Sequence, residues 1–131
     1  MVWESPGILR ARLPVSFRFR VEDHQGHPVN DLQTYMGMAG HAEFVRTDLG
    51  AFAHVHPAGS VSMAALQMAQ SGLDASLNLA SSEAEIGPME MTHQPEISFP
   101  YGFPSRGDYR IFVQIKRAGR IETGVFDAYV N

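Results

Sequence analysis

At 131 residues the chain is the size of one domain, long enough to bury a core without staples. A net charge of −4 and a pI near 5.8 argue against a nucleic-acid or anionic-membrane partner, and no apolar run approaches the roughly 18 residues that cross a bilayer. There is no cysteine, which excludes a disulfide framework, a thiolate metal site and a blue-copper electron carrier. Met1 to Pro6 lack the basic and apolar regions of a signal peptide, which is compatible with a domain cut from a longer, exported or membrane-tethered protein.

In chain order, residues 7–13 and 15–22 alternate apolar and polar side chains, as half-buried strands do. Asp23 to Pro28 is a turn by composition, with His24 and His27 at its exposed tip. Residues 30–38 are irregular, with a helical turn expected where Asn30 or Asp31 can cap one. Residues 40–47 and 52–57 form a hairpin folded at Asp48-Leu49-Gly50. The stretch from Ala58 to Pro95, rich in Ala, Ser, Met and Gln, reads as a long Met-containing insertion with a short strand over 61–66. Residues 96–101, 108–117 and 120–130 are strong strands, the last two joined at Ala118-Gly119. About seven short strands with almost no helical periodicity predict an all-β, antiparallel immunoglobulin-like sandwich. Its core is expected to include Phe17, Phe19, Val21, Ile111, Val113, Ile115 and Phe126.

The chemistry concentrates in the hairpin. His54 and His56, in Phe52-Ala53-His54-Val55-His56-Pro57, leave the same face of one strand with roots about 6.5–7 Å apart. His41 opens the partner strand, and three neutral imidazoles are a first shell for copper or zinc. Parity decides whether they meet. If Thr47 pairs with Gly50 around a two-residue loop, His41 lies opposite His56; if Gly50 forms a bulge, His41 turns to the other face.

Met36 and Met38 lie just before His41, and a second Met-x-Met precedes a histidine in Met89-Glu90-Met91-Thr92-His93. Thioethers favour Cu(I), while imidazole serves either copper state. Met36 and Met38 are therefore candidate ligands beside His41, His54 and His56, with Met89, Met91 and His93 a weaker set. Methionine is equally an adaptable core filler.

The segments Asp31-Leu32-Gln33-Thr34-Tyr35-Met36-Gly37, Gly40-His41-Ala42 and Phe52 to Pro57 resemble a pattern in small bacterial extracytoplasmic domains, the YtkA-like and other heavy-metal or copper-handling β-sandwich modules. The run from Gly107 to Gln114 with Gly119-Arg120 and Phe126 is similar to their closing strands, so the likeness covers about residues 14–57 and 96–130. It implies an immunoglobulin- or cupredoxin-like sandwich sharing His41, His54 and His56, in a periplasmic or membrane-tethered setting. The expected cofactor is copper, as Cu(I) or Cu(II), with zinc as the other candidate. The expected partners are that ion and a membrane-bound or envelope metal-handling protein, with no nucleic acid and no insertion of this domain into a membrane. An accessory protein–protein interaction domain with structural histidines is the alternative. No Gly-x-Ser-x-Gly, His-Glu-x-x-His or phosphate-cradling glycine loop is present, and Glu43 is the sole acid beside His41, His54 and His56, so no catalytic residue is predicted.

Overall fold

The computed structural model describes residues 1–59 and 95–131. Eight strands are found there, all paired antiparallel: β1 (Val2–Glu4), β2 (Pro14–Arg20), β3 (Leu32–Gln33), β4 (His41–Arg46), β5 (Phe52–Val55), β6 (Glu96–Gly102), β7 (Gly107–Arg117) and β8 (Arg120–Val130). They form the expected all-β sandwich, with two strands, β1 and β3, too short to read from pattern.

The smaller sheet has the order β1-β2-β6. In the larger sheet β8 pairs along all of β7, while β4 and the two-residue β3 share the opposite edge of β7, and β5 closes the far side of β4. Period-two alternation places Phe17 and Phe19 of β2 on one face and Tyr109, Ile111, Val113 and Ile115 of β7 on another, and all six are fully buried where the sheets meet. Aromatic rings interlock across the interface: Phe44 of β4 lies 5.0 Å from Phe17 and stacks on Tyr101 at 4.3 Å, and Phe19 meets Phe126 at 5.1 Å. Of the predicted core, Phe126 alone is only half-buried, because β8 is an edge strand.

Two predicted elements are corrected. Residues 7–13 are not a strand: Gly7 (φ 88°) and Arg12 (φ 65°) break the extended backbone, and only Leu9 makes a β-bridge, to Val130. No helical turn follows Asn30 or Asp31, because Asp31 is held by a bidentate ion pair with Arg117 (2.8 and 3.2 Å) while Leu32 and Gln33 pair with β7. The strand expected over 61–66 and nearly all of the 58–95 insertion lie outside the described residues.

Candidate metal centre

The β4–β5 hairpin sets the parity. Its register pairs Ala42 with Val55, Glu43 with His54, Phe44 with Ala53 and Val45 with Phe52. The Arg46 N–H donates to the Ala51 carbonyl at 2.8 Å, so the loop holds four residues and not two, yet no bulge intervenes. Leu49 takes the left-handed conformation (φ 62°), and the Asp48 carboxylate accepts the Gly50 N–H at 2.9 Å. Continuing the register by one residue sets His41 opposite His56.

Ala42 and Phe44 therefore enter the core, whereas His41, Glu43 and Val45 stand on the outer face. Pairing onward through β7 and β8 arranges that face as a grid. His41 neighbours Gln114 and Thr123; Glu43 neighbours Phe112 and Val125; Val45 neighbours Arg110 and Asp127. His54 of β5 and His56, just past its end, complete it. One nitrogen from each of His41, His54 and His56 lies within 4.8 Å of the other two, and the ring centroids are 5.2–5.5 Å apart. Bonds of about 2.0–2.1 Å around a tetrahedral ion need nitrogens roughly 3.3 Å apart. The His41–His54 pair already stands at 3.1 Å, and His56, exposed at the strand end, has room to close the remainder.

His41 is buried, 5% exposed, although it points away from the core. The cover is a two-residue hairpin, Tyr35-Met36-Gly37-Met38, closed by Tyr35 N–H to Met38 O (2.7 Å) and Met38 N–H to Tyr35 O (3.1 Å). Met36 (φ 51°) and Gly37 (φ 82°) supply the two positive φ angles of a type I′ turn. The Tyr35 ring meets His41 edge-on at 5.2 Å. Gly40 makes this entry possible: a Cβ there would sit 2.7 Å from the Gln114 carbonyl oxygen, so Gly40→Ala should displace His41.

The hydrogen bonds fix which nitrogen is free. His41 Nε2 is 3.1 Å from the Tyr35 carbonyl, which can only accept, so Nε2–H donates and Nδ1 keeps its lone pair. That lone pair accepts from His54 Nε2–H at 3.1 Å. The other nitrogen of His54, Nδ1, faces Glu43 Oε1 at 3.8 Å. Burial holds the His41 pKa below its ordinary 6.5, partly opposed by the Tyr35 hydrogen bond and reinforced by the neighbouring imidazoles, so His41 is neutral and ready to ligate.

The same shift gives a stability prediction. His41 binds a proton more weakly folded than unfolded, so its contribution is complete above about pH 6.5 and falls as pH drops below that value. Asp31, lowered from 3.8 by its Arg117 hydrogen bond, loses its contribution only in a more acidic window. Denaturation in chelator should show a fall in stability beginning near pH 6.5, and His41→Gln should remove part of it. An unchanged slope in the variant would contradict this assignment.

Of the other predicted ligands, Met36 is 72% exposed at its turn tip and Met38 is buried. Met89, Met91 and His93 lie outside the described residues. His24 and His27 are exposed on the Asp23–Pro28 turn as expected, with Asp23 accepting the Gln25 and His27 N–H groups. One group at the site is not readable from sequence: Tyr35 acts through a backbone carbonyl, which no side-chain pattern reveals. Glu43, the acid expected beside the ligands, shares the outer face with His41 through its i, i+2 relation.

A family model described as a domain of unknown function, DUF8832, matches residues 2–131. The chain belongs to this family. No curated protein and no solved structure matches it. The three-histidine geometry of this DUF8832 chain thus carries the functional argument by itself.

Proposed function

We propose that this protein is a metal-binding module that holds one copper ion through His41, His54 and His56, in order to sequester it or hand it on. The observation that carries this reading is the convergence of three imidazoles on an open sheet face, one of them buried, neutral and tautomerically fixed. Imidazole donors without a carboxylate in the group disfavour magnesium and calcium, and copper(II) heads the divalent affinity order. Met36 and Met38 lie five and three residues before His41 and offer soft ligands for Cu(I). The resemblance to YtkA-like modules supports a periplasmic or membrane-tethered setting and an envelope metal-handling partner.

The exposed position of His54 and His56 suits transfer, since a partner's ligands can reach the ion without opening the fold. Beside them on the same face, Phe52 is 64% and Val125 52% exposed, which also supports the second reading of a protein-interaction surface. Titration of metal-free protein with Cu(II), with Cu(I) under reducing conditions, and with Zn(II) separates the two. One equivalent bound tightly supports the metal reading; no binding at micromolar metal leaves the interaction domain. Met36→Leu/Met38→Leu should weaken Cu(I) selectively if these thioethers contribute, and leave both ions unaffected if they do not.

A further inference from the structure

We propose that Glu43 is a positioning residue for the metal-bearing tautomer of His54, so that the loaded site uses two different imidazole nitrogens, Nδ1 of His41 and Nε2 of His54. The proposal rests on the metal reading above and deepens it. Tyr35 already fixes His41 by accepting its Nε2–H, leaving Nδ1 to ligate. His54 is the opposite case: its Nε2 faces the site, yet in the free protein that nitrogen carries the proton donated to His41 Nδ1.

A metal cannot bind a protonated nitrogen. For the ion to replace the His41–His54 hydrogen bond, the neutral His54 ring must move its proton from Nε2 to Nδ1. Glu43 Oε1 faces Nδ1, 3.8 Å away, directly across the β4–β5 register. Both side chains are 44% exposed, so small rotations bring them to hydrogen-bond distance. Among the described residues Glu43 has no lysine or arginine partner, unlike Glu4, Glu22, Glu96 and Glu122, which all pair with arginine. Its carboxylate is free to accept from the ring. A carboxylate behind a ligating histidine fixes the tautomer and raises ligand basicity, and losing one costs typically 10–100-fold in metal affinity.

The test uses the whole chain, Zn(II), and long-range proton–nitrogen NMR of the histidine rings. In free wild-type protein His54 should carry its proton on Nε2, and one equivalent of Zn(II) should move it to Nδ1. Glu43→Leu should bind Zn(II) roughly 10–100-fold more weakly, and Glu43→Gln, whose amide oxygen still accepts, should recover most of that loss. Thermal unfolding without metal should be alike in all three. Coordination of His54 through Nδ1 would overturn the proposal from the wild-type spectrum alone. Equal affinity in Glu43→Leu, or a Gln variant no better than Leu, would overturn it while leaving the metal site standing. No Zn(II) or copper binding by wild type would instead overturn the metal reading, and this inference with it.

Discussion

His54→Ala/His56→Ala should bind no stoichiometric metal while unfolding within a few degrees of the wild type. Both rings are exposed, His54 on the edge strand β5 and His56 just past its end, so their truncation removes two of three ligands and almost no core contact. His41→Ala should combine the two effects. It removes the buried ligand and also the hydrogen bond to Tyr35 that holds the type I′ turn over the site, typically about 1 kcal/mol. Metal titration beside thermal unfolding checks both variants. Tight binding retained by the double variant would show that the ion resides elsewhere.

Phe44→Ala should be the most destabilising single substitution on the site's own strand. Phe44 is fully buried and touches Phe17, Tyr101 and Phe103, bridging the two sheets one residue beyond Glu43. A phenylalanine truncated in such a core costs about 3–5 kcal/mol, which for a chain of this size lowers the melting temperature by about 10–20 °C. Because β4 carries His41 and Glu43 on its other face, metal affinity should fall as the strand loosens. A loss below about 1 kcal/mol would mean that Phe44 does not join the two sheets.

The fold was legible wherever a strand is long and buried on one side. β8 spans Arg120–Val130 as its alternation predicts, and β7 begins one residue earlier than expected, at Gly107. Residues 7–13 carry the same alternation for another reason. Leu9 is buried and bridges Val130 with Ala11 packed beside it, but Leu13 is exposed and the positive φ angles at Gly7 and Arg12 end the pairing on either side, so the stripe touches the core without extending into a strand. β1 escaped notice because three residues hold no period; its pairing with β2 and the packing of Trp3 on Phe17 and Phe19 create it.

At the site, the ligand types and the same-face spacing of His54 and His56 were readable, but the side taken by His41 was not. That choice rests on the Arg46–Ala51 hydrogen bond across a four-residue loop, and an inserted bulge would have sent His41 into the core face. The burial of His41 was equally hidden, since it comes from a turn that packs over the sheet from outside.

A crystal structure of the zinc-loaded protein, with the ion located by anomalous scattering, shows whether His41, His54 and His56 share one metal. One ion is expected on the outer face of the larger sheet, about 2.0–2.1 Å from Nδ1 of His41, Nε2 of His54 and a ring nitrogen of His56. An ion bound at other residues, or none there with the three imidazoles still hydrogen-bonded to one another, would contradict it.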